Sequence, residues 1–240
     1  TNSKKIELNG VSSAGIYGEN SEMTNLGVNS EIVVNKEASA GMYSKLTSAS
    51  SVSKNSKNEG KIKINADGAG KSVAMYSRVE SGTQKLSTEN SGTIEVAQKA
   101  SAGIYADNIS SQANTQSEVT NTGLVKMTAE DSVGIIGKKS KVTNSVTGIK
   151  GIEILGKGSA GILATDVSEV INSGRIEGST GTSLVGISVD STSTAANSGT
   201  ITMNTASNTG ISSKGGSVTN SGTITLKGDT STGISSENGD

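Results

Sequence analysis

The sequence predicts an all-β fold: a single-chain, right-handed parallel β-helix, or solenoid, of about nine coils of 23–33 residues. Two recurring landmarks and the fixed distance between them carry that expectation. The first landmark is Asn-Ser-Gly-Thr-Ile, at residues 90–94, 197–201 and 220–224. Weaker copies stand at 58–62, 121–125 and 172–176, interrupted ones at 25–32 and 144–152, and a damaged one at 2–6. The second landmark is a small residue followed by Gly and Ile, with its Gly at Gly15, Gly41, Gly103, Gly134, Gly161, Gly186, Gly210 and Gly233, and Ala74 in that place once. From the Ile of the first landmark to the Gly of the second is nine residues in seven of nine units.

Each unit then resolves into strands. Ile62-Lys63-Ile64, Ile94-Glu95-Val96 and Ile224-Thr225-Leu226 are apolar-polar-apolar, the period of a strand with one buried face. The second landmark reads as a second strand, with Ala102 and Ile104 expected to point inward and Gly103 and Tyr105 outward. A third short strand precedes each Asn, marked by Val119, Val142, Val170 and Val218. A single unit is too thin to bury its apolar face, so neighbouring coils must cover it. The outward residue of the first strand runs Glu7, Val33, Lys63, Glu95, Lys126, Glu153, Glu177. From Lys63 to Glu153 the signs alternate, as stacked neighbours prefer, and Glu177 breaks the order.

The corner Asn residues (Asn25, Asn58, Asn90, Asn121, Asn144, Asn172, Asn197 and Asn220) are expected to form a structural ladder that binds corner backbone groups. The Gly two residues later is expected at positive φ. The pattern starts by residue 2 and still runs at residue 234 with no polar cap, so the sequence reads as an uncapped piece of a longer solenoid.

Composition narrows function. The 240 residues carry a net charge of −1 and contain no Pro, Cys, His, Trp or Phe. The absence of Pro suits a chain that commits its backbone N–H groups to ladders. Without Cys there is no disulfide framework, and without His the commonest general base and metal ligand is missing. The near-balanced charge gives no reason to expect nucleic acid. No apolar run is long enough to cross a membrane as a helix, and no membrane contact is expected within the segment. Carboxylates are spread along the repeat and Arg occurs only at Arg78 and Arg175. The chain is therefore expected not to be an enzyme, with no catalytic, metal or cofactor residue; a polysaccharide-acting β-helix enzyme is the remote alternative.

The coils are not equivalent. From the Gly position to the next Asn takes 10 or 11 residues in most coils but 17, 16 and 18 in coils 2 to 4. The extra residues fall in 44–57, 77–89 and 106–120, read as inserted loops on one continuous solenoid spanning 1–240. All four tyrosines, Tyr17, Tyr43, Tyr76 and Tyr105, share one outward repeat position in coils 1 to 4. With Lys54, Lys57, Arg78 and Gln112 they are the candidate partner-binding residues, since Tyr offers a flat apolar face and a hydroxyl. The alternative is that the tyrosines stack on one another and only cover the coil.

The repeated Asn-Ser-Gly-Thr-Ile, followed by Ser-Ala-Gly-Ile-Tyr at residues 101–105, resembles the passenger regions of large type V autotransporter adhesins, with RadD-type adhesins of fusobacteria the nearest likeness. The resemblance spans essentially the whole chain. It implies a β-helical passenger displayed at the cell surface, anchored in the outer membrane or secreted. It also implies attachment to a host-cell or bacterial surface protein or glycan. Within the resemblance, a purely structural stalk and a filamentous haemagglutinin-like two-partner-secreted exoprotein are the alternatives. The chain is expected to act as a monomer.

Overall fold

A computed structural model describes residues 1–65, 70–111, 116–146 and 150–238. These residues form 26 strands, all paired in parallel, in three sheets of nine, nine and eight strands. The first sheet runs from Lys5–Leu8 to Thr223–Leu226, the second from Ala14–Glu19 to Thr232–Glu237, and the third from Met23–Asn25 to Ser217–Asn220. In each sheet every strand pairs with its counterpart one coil away, so the chain climbs through eight complete turns and two strands of a ninth. This is the right-handed parallel β-solenoid the repeat predicts. No described helix is long and apolar enough to cross a membrane.

The register is the one set by the landmarks. Ile94 stands between Ile62 and Val125, and Glu95 between Lys63 and Lys126. The core is a column of first-sheet residues (Ile32, Ile62, Ile94, Val125, Ile152, Ile176, Ile201), all fully buried against second-sheet residues such as Met42, Ile104 and Ile135. Glu153 and Glu177 are adjacent, as their positions require, and Arg175 bridges them: its guanidinium lies 3.6 Å from Glu153 and also pairs with Glu177. That cation explains how two like charges are tolerated side by side.

The corner asparagines differ in detail from the expectation. Their main side-chain bonds run to one another. Asn25 Nδ2 donates to Asn58 Oδ1 (2.8 Å), Asn58 to Asn90 (2.8 Å), Asn90 to Asn121 (2.8 Å) and Asn121 to Asn144 (2.9 Å). The chain continues through Asn172 and Asn197 to Asn220, and Asn2 extends it at the other end. The second amide hydrogen reaches a backbone carbonyl past the corner, as from Asn90 to Leu124 O (3.4 Å). The ladder asparagines are buried except Asn220, which is exposed. Burial is tolerable because each buried ladder amide has a partner for both its oxygen and its nitrogen.

The Gly of Asn-x-Gly also corrects the expectation. Among these only Gly27 has positive φ (76°). Gly92, Gly123, Gly199 and Gly222 are required by close approach instead. A Cβ on each would overlap the carbonyl oxygen of the Gly one coil away. Positive φ sits at the next corner, three residues before the second-landmark Gly, in Ser12, Ala38, Lys71, Ala100, Asp131, Gly158, Ser183, Ser207 and Thr230. Their φ angles lie between 50° and 70°, and eight of the nine are not Gly. In coils 1 to 6 the N–H at this position donates to a carbonyl of the following coil, as from Ala100 to Glu130 O (3.2 Å).

The second strand is corrected too. A Cβ on Gly103 would meet Val125 and Ile94, so this position faces the core, whereas Ala102, itself buried, stands outside the main core cluster. Gly103 and Ile104 therefore face inward in succession, which the strict alternation did not allow. Alternation breaks at this Gly, and no side chain fits between the stacked backbones: a Cβ on Gly103 would also come within 2.6 Å of Gly134 O.

Two outcomes follow. Asn90→Ala strands Asn58 Nδ2 and Asn121 Oδ1 in a buried corner, and should cost about 2–4 kcal/mol in a denaturant titration. Ala100→Gly relieves a left-handed residue and should raise stability by about 0.5–1 kcal/mol, the relief of strain less the extra entropy of an unfolded Gly.

Candidate functional site: the tyrosine face

Register alone assembles this face. Tyr17 pairs with Tyr43, Tyr43 with Tyr76, and Tyr76 with Tyr105, so four residues 26 to 33 positions apart in sequence become one column. The ring centroids are 5.3, 4.9 and 5.3 Å apart. Tyr43 and Tyr76 are stacked at 24°, Tyr76 and Tyr105 are tilted at 34°, and Tyr17 meets Tyr43 edge-on at 72°. Tyr17 is 55% exposed and the other three are half-buried. Stacking turns the faces of Tyr43 and Tyr76 toward each other, so these rings offer their edges outward.

Two residues further along each strand is a charged column: Glu19, Lys45, Arg78, Asp107 and Lys138. Lys45 lies 3.7 Å from Glu19 and 3.2 Å from Glu80; Arg78 lies 3.4 Å from Asp107 and Lys138 lies 3.7 Å from it. This column holds the hydroxyls of Tyr17 and Tyr76. Tyr17 donates to Glu19 (3.0 Å), Tyr76 donates to the buried Asp107 (3.1 Å), and Arg78 donates to Tyr76 (3.3 Å). Burial pushes the Tyr76 phenol up to about 12; the Asp107 carboxylate adds to the shift and Arg78 opposes it. Burial, with Asp107 behind it, also raises Tyr105, and the hydrogen bond to Glu19 raises Tyr17.

On the other side of the rings a groove of about 620 Å³ follows the rod across coils 1 to 5. Tyr43, Tyr76, Tyr105 and Ile136 form one wall, Ala14, Ala40, Val73, Ala102 and Val133 the floor, and the left-handed corner with its serines the other wall. The serines are committed inward. Ser39 Oγ accepts from Ser13 N and donates to Glu37 O; Ser72 Oγ accepts from Ser39 N and donates to Lys36 O. The groove surface is therefore mainly apolar, and its volume is within the range of small-ligand sites.

The other candidates fall elsewhere. Arg78 stands beside the tyrosines, but Lys54 and Lys57 lie in the strand Lys54–Asn58 of the third sheet, where Lys57 pairs with Glu59 (2.8 Å). Gln112 lies outside the described residues. Part of the three inserted stretches continues regular structure. The strands Ala40–Leu46, Val73–Val79 and Ala102–Asn108 run seven residues, against five or six in the other coils. Leu46, Val79 and Leu86 form a second small core beneath the widened corner. In coil 4 a buried polar group takes that place, with Ser110 Oγ 2.6 Å from Asn108 Oδ1 and Gln116 donating to Gly82 O (3.1 Å). Sequence reasoning missed the groove and the charged column. The signal for the column was present two residues after each Tyr.

Residues 135–240 match the family model of the BigA third pectate lyase-like domain. No curated protein and no solved structure matches the chain. The matched stretch begins inside the strand Val133–Lys138 and covers the regular later coils. The tyrosine column lies before it. In the matched stretch Glu153 and Glu177 stand side by side, both engaged by Arg175. Among the described residues no group of three or more acidic side chains gathers to hold a metal ion.

The Tyr76 phenol gives a pH test. An unfolded Tyr ionises near 10, and folded Tyr76 near 12. The unfolded state thus loses this proton first, so the contribution of Tyr76 to stability is complete below pH ~10 and is lost as pH rises toward 12. Tyr76→Phe should flatten that alkaline fall in melts taken across this window, and should remove the last step of the tyrosinate absorbance titration.

Proposed function

We propose that the chain is part of the passenger of a surface-exposed bacterial autotransporter adhesin, of the RadD-like type, and that it acts without catalysis. In this reading the solenoid is a stiff rod that carries its binding face away from the cell, and the partner is a protein or glycan of another bacterium or of a host cell. The observation that carries the reading is the mainly apolar groove walled by Tyr43, Tyr76 and Tyr105. A concave surface lined by aromatic edges is the kind of feature through which rigid repeat proteins bind. The match of residues 135–240 to a domain of BigA supports a place among bacterial surface β-helices. The pairing of Glu153 and Glu177 with Arg175, and the spread of the remaining acids, support the non-catalytic part.

The test is adhesion of the purified chain to bacterial cells, host cells and a glycan array, beside the double variant Tyr76→Ala/Tyr105→Ala. At least a tenfold loss of binding in the variant is expected, with an unchanged β-sheet circular dichroism spectrum. Equal binding by both proteins would move the contact off this face, and binding by neither would make the segment a stalk. Incubation with polygalacturonate should release no unsaturated ends; their appearance would replace the adhesin reading with an enzymatic one.

A further inference from the structure

We propose that the Tyr17–Tyr43–Tyr76–Tyr105 column is an oxidative cross-linking site, at which a peroxidase-type oxidant joins tyrosines of adjacent coils through a carbon–carbon bond. Two independent observations lead there. The first is the lack of competing targets. The chain has no Cys, Trp or His. Its five methionines, Met23, Met42, Met75, Met127 and Met203, are all buried, none more than 3% exposed. A one-electron oxidant arriving from solvent therefore finds the tyrosines as the readily oxidised groups, and Tyr17 is the most exposed of them.

The second observation is geometry. Consecutive rings lie 4.9 to 5.3 Å apart, held there by parallel strand pairing rather than by chance approach. Losing an electron from a phenol at neutral pH requires an acceptor for its proton. Tyr17 already donates to the Glu19 carboxylate and Tyr76 to the Asp107 carboxylate. Tyr43 and Tyr76, stacked at 4.9 Å, are the pair best placed to couple.

The step balances as follows. Hydrogen peroxide, through the peroxidase, removes one electron from each of two phenols; the Tyr76 proton leaves to the Asp107 carboxylate and the Tyr43 proton to solvent. The two phenoxyl radicals form a bond between ring carbons ortho to oxygen. Each ring then loses the hydrogen on that carbon and regains its phenolic O–H. Two tyrosines and one peroxide give one dityrosine and two waters. The bond would tie one coil to the next across residues 43 to 76, closing a loop as a disulfide does in chains that have Cys. A displayed rod without disulfides would gain covalent coil-to-coil links only where oxidant is present. The inference does not depend on the column also binding a partner.

The test treats the full chain with a haem peroxidase and hydrogen peroxide, then reads dityrosine fluorescence, gel mobility and a peptide map. The expected product is a single-chain species in which peptides holding Tyr43 and Tyr76 are joined and two hydrogens lighter than their sum. Tyr76→Phe, which keeps the packing, should lower the intrachain yield several-fold. Ile136→Tyr, which lengthens the column by one coil, should add a link from Tyr105. The same treatment in denaturant should lose the intrachain link. The proposal is overturned if only intermolecular dimers form, if tyrosines are oxidised without coupling, or if Tyr76→Phe leaves the intrachain yield unchanged.

Discussion

Everything in this molecule depends on holding adjacent coils at one strand spacing, about 4.8 Å, with every repeat position directly above its counterpart. A coil has too little apolar area to fold alone, so its core residue, for example Ile94, is buried only because Ile62 and Val125 lie on either side of it. At that spacing a polar side chain in a corner has no water, and its partner must come from the coil above or below. The asparagine ladder solves this with one residue type, because an amide is both donor and acceptor and can repeat head to tail. The serines of the second corner solve it differently, accepting from a backbone N–H of the preceding coil.

The same spacing dictates where side chains are forbidden. Gly92 and Gly123 are glycines because the coils touch there, not because the backbone bends abnormally. The abnormal bend occurs one corner later, where solvent leaves room for a side chain, and there the sequence uses Ser, Ala, Lys, Asp and Thr. Those residues carry the left-handed conformation at some cost. In coils 1 to 6 the inter-coil hydrogen bond made by each left-handed N–H helps to hold it.

Much of the fold was legible because the repeat states the register directly: once Asn90 is aligned with Asn121, every other pairing follows, including the column of tyrosines. What was not legible lay within a single coil. Alternation placed Ala102 inside and Gly103 outside, because a period of two assumes an unbroken pleat, and here Gly103 and Ile104 face the core in succession. Glycine was taken as a sign of positive φ, since that is its common use in turns, while close approach between coils leaves no mark in one sequence. The groove depends on how far the tyrosine rings and the serine corner stand above a floor of Ala and Val, and that is a property of packing. Gln112 is in a stretch the described residues do not include.

The column principle also explains why distinct features concentrate in the first half of the chain. In a stacked frame a single Tyr is one ring on a flat surface, whereas four in register become a wall. Ile136 carries the wall one coil further, and Leu163 and then Ser188 at the same position end it without disturbing the core, because that position faces outward in every coil. The charged column two residues on behaves alike: Glu19, Lys45, Arg78, Asp107 and Lys138 follow one another along the axis, with Glu80 pairing both of the adjacent cations Lys45 and Arg78, and then give way to Thr165. The later coils stack by the same register with neither column. Their joint presence over the widened corner, where Leu46, Val79 and Leu86 provide a separate small core, sets this face apart as an elaboration of the frame rather than a part of it.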